Sequence, residues 1–244
     1  MSEYDASTYG ERIADVYDEW YAALGNEEQV AAVLAELAGD GPALELGIGT
    51  GRIALRLQER GVEVHGVDVS SPMVERLRAK PGGDRIAVTI GDFRDVPPGP
   101  FSLVYVVFNT FFGLLTQDDQ VQCFESVARA LRPGGCFLLE CFVPDVARFD
   151  RGQRVHGERA EADEVRFSVA VHDPLSQRVR SSHVQLRENG VRLFPVHIRY
   201  AFVSELDLMA RVAGLRLRSR WSGWDRAEFT ASSGGHVSAY ERPS

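Results

Sequence analysis

The 244-residue chain contains one lysine, Lys80, three cysteines without a CxxC pair, and no block of like charge. Each scarcity excludes something. With no metal-ligand spacing among Cys123, Cys136 and Cys141, neither a metal site nor a disulfide framework is expected, and the three read as small core hydrophobes. A formal net charge of −8 without a basic run argues against a nucleic-acid or anionic-membrane surface. No apolar run approaches the roughly 18 to 20 residues of a membrane span, and no basic segment leading into an apolar one opens the chain, so the expected compartment is the cytoplasm. The basic charge is almost all arginine, a bias given no functional weight. What remains, 44% hydrophobic and 25% charged, is the composition of a globular protein long enough for one large α/β domain with an insertion.

Ala43-Leu44-Glu45-Leu46-Gly47-Ile48-Gly49-Thr50-Gly51-Arg52 organises the rest. It reads as a buried strand breaking into a turn with glycine at every second position. Glycine reaches positive φ without strain and has no Cβ to hold a ligand off the backbone. The following helix turns its free N–H groups toward whatever sits above that turn.

Upstream, Tyr9 to Leu24 places Ile13, Val16, Tyr17, Trp20, Tyr21 and Leu24 at helical spacing, which predicts one amphipathic helix. A second helix runs from Asn26 to a stop at Gly39. Strands are expected at Leu44 to Leu46, Val62 to Val67, Ile86 to Ile90, Phe101 to Phe108 and Cys136 to Phe142. Helices fall between them over Arg52 to Arg60, from Ser70-Ser71-Pro72 to Leu77, and over Asp118 to Leu131. This alternation makes a doubly wound parallel sheet with ligands at the carboxyl ends of its strands. Then the pattern changes. Val165 to His172, Arg178 to Arg187 and Val191 to Phe202 read as three antiparallel strands joined at Asp173-Pro174 and Asn189-Gly190. A helix from Ser204 to Gly214 and two strands, Leu215 to Trp221 and His236 to Glu241, close the chain.

Asp68 follows the second strand, where a carboxylate accepts from both ribose hydroxyls of a nucleotide. Gly91-Asp92-Phe93 follows the third, placing an acid and an aromatic wall for an adenine edge. Leu131-Arg132-Pro133-Gly134-Gly135 precedes the fifth. In this order and spacing these motifs resemble the class I S-adenosylmethionine-dependent methyltransferases, over roughly Tyr9 to Phe142 and Ser204 to Arg242. The resemblance implies a Rossmann-like seven-stranded sheet whose last strand is antiparallel, here with an inserted β meander. It divides the chain into N-terminal helices over the active site (1–40), a cofactor-binding body (41–150 and 204–244) and the meander (151–203). It further implies S-adenosylmethionine as cofactor, with Glu45, Gly47, Gly49 and Gly51 along its methionyl and ribose part and Asp68 and Val69 at the ribose. Met73, Asp92 and Phe93 would surround the adenine, with Phe108, Asn109 and Tyr21 nearby.

After the fourth strand the chain has Phe108-Asn109-Thr110-Phe111, where nucleobase-amine methylating enzymes carry Asn/Asp-Pro-Pro-aromatic. The tyrosine-rich N-terminal segment and the meander look more like the small-molecule N-methyltransferases of amino-sugar and lincosamide pathways. The expected reaction is methyl transfer to a nitrogen, with oxygen second, of a small molecule. The alternatives are an NAD(P)-dependent oxidoreductase, disfavoured because Arg52 stands where GxGxxG needs its third glycine, and a SAM-binding protein without catalysis. Tyr9 and Tyr17 are candidates to touch the reacting centre, and His183, like His197, to act as a base. Phe112, Phe142 and Trp224 are candidates for the substrate wall, a role that core packing would equally explain. Val165, Phe167, Val169 and Val171 alternate onto one face of the meander. That face predicts a pocket lid or the contact of a homodimer.

Overall fold

A computed structural model describes residues 4–244; residues 1–3 of the expected N-terminal unit lie outside the described residues. The single N-terminal helix expected from the periodicity is two, α1 (Thr8–Ile13) and α2 (Tyr17–Tyr21), followed by a 3₁₀ turn at Ala22–Leu24. No proline or glycine marks the break. A tight turn from Val16 N–H to Ile13 O, 2.9 Å, lets Ile13, Ala14 and Val16 all bury in one cluster with Met73 and Phe194.

The body follows as α3 (Glu27–Ala38), β1 (Ala43–Leu46), α4 (Ala54–Glu59), β2 (Val64–Asp68), α5 (Ser71–Arg78), β3 (Ala87–Ile90), β4 (Phe101–Val106), α6 (Gln117–Ala130) and β5 (Leu131–Phe142). β5 starts earlier than expected because the Pro133-Gly134-Gly135 turn is drawn into the sheet. Leu131 pairs with Phe101, and the register then shifts before Cys136 meets Leu103. The meander comes next and has four strands where three were expected: β6 (Gln153–Ala160), β7 (Glu164–Asp173), β8 (Arg178–Arg187) and β9 (Gly190–Arg199). β6 escapes sequence reading because, as a solvated edge strand, it carries one large apolar residue, Val155. The chain ends with α7 (Val203–Val212), β10 (Arg216–Trp221) and β11 (Gly235–Glu241).

The large sheet has the order β10-β11-β5-β4-β1-β2-β3, with only β11 antiparallel to its neighbours. β4 shows why the strands are apolar throughout. Val104 and Val106 pack under α6 and α7, whereas Leu103 and Tyr105 pack under α3 and α4. Each fully buried aliphatic side chain adds about 1.5–3 kcal/mol, so a strand covered on both faces has no place for alternation.

The meander is tied to this body by buried Arg199, which donates to Gln120 Oε1 at 2.5 Å and Glu205 Oε1 at 2.6 Å. Its two faces differ. Ser168, His183 and Phe194 share the face toward the body, while Val155, Val165, Val169, Val171, Leu186 and Leu193 share the outer face and are exposed. No helix among the described residues is long and apolar enough to cross a membrane.

Candidate active site

The turn after β1 is built around Asp68, the last residue of β2. Its carboxylate accepts the N–H of Gly49 at 2.7 Å and of Ser70 at 2.8 Å, while Gly47 N–H donates to Val67 O at 2.8 Å. Burial raises the Asp68 carboxyl above its usual value, and the N–H groups of Ser70, Gly49 and Val69 pull it back. Gly47 and Gly49 stand at φ +70° and +54°. A Cβ on Gly47 would lie 2.4 Å from Thr110 Cγ2, and one on Gly49 3.2 Å from Met73 Cε. Gly51 has a different task from the expected one. It packs on α5, where a Cβ would meet Leu77 Cδ1 at 2.2 Å, and it does not line the cavity.

Glu45 on β1 is 3% exposed and accepts the Tyr105 hydroxyl at 2.9 Å. Burial pushes its carboxyl up to about 8, against the opposing pull of Tyr105 and Arg52. Arg52 lines the cavity, with Nη1 3.1 Å from Glu27 and its guanidinium 5.3 Å from the centre of the Phe108 ring. Lys80, given no role from the sequence, pins α2 to the glycine turn. Its Nζ lies 2.7 Å from Asp18 and 2.8 Å from Thr50 O, and Thr50 Oγ1 donates to Asp18 at 2.6 Å.

Past β4, Phe108 and Asn109 hold positive φ of 58° and 65°, a conformation that costs a side-chain-bearing residue about 1–3 kcal/mol and persists only where surroundings enforce it. Glu140 enforces it. Its Oε2 accepts Phe108 N–H at 2.8 Å and its backbone oxygen accepts Asn109 N–H at 3.1 Å, while Asn109 Oδ1 accepts Phe142 N–H at 2.7 Å. Trp224, expected at the substrate wall, instead stands behind Glu140 and donates its indole N–H to Oε1 at 2.8 Å, out of the cavity. Phe112 is likewise a core residue, fully buried against Phe111 and Phe142. Both misplacements have one cause: an apolar aromatic beside a strand end fits core and pocket alike, and only the facing decides.

These elements surround a cavity of about 520 Å³, inside the roughly 300–1,000 Å³ of small-molecule sites. Its lining takes Glu45, Gly47, Gly49, Asp68, Val69, Met73, Asp92, Phe93, Phe108 and Asn109 from β1 to the turn after β4, and Tyr9, Tyr17, Tyr21, Phe142, His183 and His197 from the N-terminal helices, the end of β5 and the meander. The hydroxyls of Tyr9 and Tyr21 are 3.3 Å apart, and Tyr21 stands edge-on to Phe108 at 4.9 Å. Burial raises all three phenols, so they face the cavity uncharged. His183 Nδ1 lies 2.7 Å from Glu158 Oε1, and His197 is stacked on Tyr4 at 3.8 Å. Glu158 and Arg52 were not singled out from the sequence. Glu158 lies in the unrecognised β6, and Arg52 is one arginine among many.

Residues 43–135 match the model of a family described as a methyltransferase domain. The chain is 30% identical over 238 residues to the cypemycin N-terminal methyltransferase of a Streptomyces species, covering 94% of this chain and 95% of that one. It is 43% identical to the CcbJ methyltransferase of Streptomyces caelestis, whose structure matches with a TM-score of 0.92 over 99% of this chain and 100% of that one. The SAM-bound amino pentose methyltransferase CalS10 of Micromonospora echinaspora shares the fold, with a TM-score of 0.71 at 22% identity over 93% and 96% of the two chains.

Proposed function

The chain belongs to the S-adenosylmethionine-dependent methyltransferases, and we propose that it methylates a nitrogen of a small natural-product molecule in the cytoplasm. The similarity is to methyltransferases throughout, and the oxidoreductase alternative is set aside. The observation that carries the reading is a single cavity lined both by the carboxylates and glycines at the ends of β1 and β2 and by the phenols of Tyr9, Tyr17 and Tyr21 and the imidazoles of His183 and His197.

The cradle fits the cofactor. Gly47 and Gly49 keep open the space their Cβ atoms would fill, and Asp68 retains lone pairs for ribose hydroxyls beside the two backbone bonds it accepts. Asp92, Phe93 and Met73 would flank adenine, and Glu45 and Arg52 would meet the amino-acid part. When bound, the sulfonium supplies an electrophilic methyl group. The chain's own part is then to hold an acceptor lone pair in line, worth up to about 7–11 kcal/mol of barrier, and to keep water out. Tyr9, Tyr17 and Tyr21, which line the same cavity, would do both. An acceptor amine must lose its proton before its lone pair can attack the methyl group. The cypemycin relative is named for methylation at an N-terminus, a position that carries an amine.

Thermal denaturation is expected to show that S-adenosylhomocysteine stabilises the protein, by about 2.7 kcal/mol at 100 times its Kd, and that NADH does not. Homocysteine release, coupled to S-adenosylhomocysteine hydrolysis, is expected with members of an amine library in preference to alcohols. Stabilisation by NADH alone, or no turnover with any amine, overturns the reading.

The meander's outer face supports assembly as a homodimer through β6–β9. Its exposed valines and leucines form the kind of contiguous apolar surface that monomers rarely leave open. Light scattering is expected to give the mass of two chains, and Val155→Glu with Leu193→Glu that of one. A wild-type monomer would refute this contact.

A further inference from the structure

Glu158 occupies an irregular position in the meander. Gly157 pairs with Phe167 and Arg159 with Arg166, which leaves Glu158 as the extra residue of a β-bulge in the edge strand β6. Bulges re-aim a side chain out of the regular alternation and recur beside active sites. This one sends the carboxylate across β7 to the cavity side of the sheet. There it lies 2.7 Å from His183 Nδ1 on β8, near Ser168, the β7 residue that pairs with His183. Arg166 Nε is 3.5 Å from its second oxygen, and the Arg166 guanidinium is itself held 4.1 Å over the Trp20 ring. Trp20 in turn stands edge-on to His183 at 6.2 Å. The imidazole is therefore held on one side by a carboxylate and on another by an indole from α2, with its ring in the cavity wall. The Glu158 charge is also felt at the phenol of Tyr21, which places the pair beside the tyrosine cluster.

We propose that Glu158 is a positioning residue that fixes His183 as the Nδ1–H tautomer and so turns its Nε2 lone pair to the cavity as the base for the acceptor amine. The inference rests on the amine-methylating reading above and adds the residue that makes His183 competent. The proton step is balanced. The ammonium N–H bond breaks and leaves its electron pair on the amine nitrogen, while the Nε2 lone pair forms the new N–H bond. The resulting imidazolium is stabilised by the Glu158 carboxylate. This is the arrangement in which a carboxylate orients a histidine through one nitrogen so that the other does the chemistry. Against burial, which raises it, that carboxyl is held below its usual value by His183 first and Arg166 with it, and the 3.5 Å ion pair to Arg166 leaves the shorter contact to the histidine.

Nitrogen-15 long-range correlation spectra of the S-adenosylhomocysteine-bound protein, with the His183 signals assigned by their loss in His183→Gln, read the tautomer directly. Neutral His183 is expected with a pyrrole-type Nδ1 and a pyridine-type Nε2, and Glu158→Ala and Glu158→Leu are expected to abolish that preference. Both variants should still be stabilised by S-adenosylhomocysteine, and with an amine that releases homocysteine their kcat should fall about 100-fold at little-changed KM for S-adenosylmethionine. Glu158→Asp should recover part of the loss. A wild-type His183 protonated on Nε2, or a tautomer and kcat indifferent to Glu158, overturns the proposal while leaving the methyltransferase reading intact. Absence of turnover with every amine in the wild type counts against that broader reading instead.

Discussion

Asp68→Ala is expected to abolish the rise in melting temperature that S-adenosylhomocysteine gives the wild type. The wild-type carboxylate organises the site twice over. It holds the Gly49 and Ser70 amides at 2.7 and 2.8 Å, and on the proposed reading its remaining lone pairs would accept the two ribose hydroxyls. Hydrogen bonds to a charged group contribute roughly 1.5–3 kcal/mol each, so losing two to the ligand weakens binding by about 100- to 10,000-fold. Asp68→Asn keeps the shape and one acceptor and should fall between. The pH dependence has a definite sign. Because burial raises the Asp68 carboxyl and only the ionised form can accept on both oxygens, affinity should decline as the solution is acidified through that raised value. Titration calorimetry on the three proteins between pH 4 and 8 measures both effects. Equal affinities in wild type and Asp68→Ala would remove Asp68 from the site.

The second large effect belongs to Glu45 and runs the opposite way in the ligand-free protein. Its carboxyl titrates near 4.5 in an unfolded chain and is pushed up to about 8 in the fold. Below about pH 4.5 both states are protonated and Glu45 carries no penalty. Between 4.5 and 8 the unfolded chain releases the proton while the folded one retains it, so this contribution to stability is lost as pH rises and is gone above 8. At 1.36 kcal/mol per pH unit the loss is on the order of 5 kcal/mol. Glu45→Gln escapes it while still accepting from Tyr105. The variant should therefore melt higher than the wild type by a margin that grows with pH, reaching roughly 10 °C near pH 8. S-adenosylhomocysteine should narrow or reverse the gap, since its ammonium group favours an ionised Glu45. Melting curves that stay parallel from pH 5 to 9 would show that Glu45 does not hold its proton in the fold.

The body of the fold was legible because its signals are local. A strand covered on both faces is an apolar run, a glycine at every second position is a turn, and Asp68 and Asp92 sit at strand ends that any parallel sheet brings together. The failures are of three physical kinds. β6 is a solvated edge whose alternation is polar on both sides. The break between α1 and α2 has no breaker residue and comes from packing Ile13 and Val16 against Met73 and Phe194. Gly51, Phe112 and Trp224 are the right residue types facing the wrong way for contact with the cavity, and facing is a property of the assembled layers. Glu158 combines the first and third kinds, since a bulge in an unrecognised strand decides where its carboxylate goes.

The residues lining the cavity also differ in where they come from along the chain. Glu45 through Asn109 all fall within residues 43–135, the span shared with methyltransferases at large, and Tyr9, Tyr17, Tyr21, Phe142, His183 and His197 all fall outside it. On the proposed reading, the residues given to the donor lie in one stretch of the gene and most of those given to the acceptor lie in others. A new meander or a new N-terminal segment would then retarget the enzyme while its cofactor contacts stay the same. A laboratory seeking a different acceptor has the same freedom, and its libraries belong on β8, β9 and the first 24 residues.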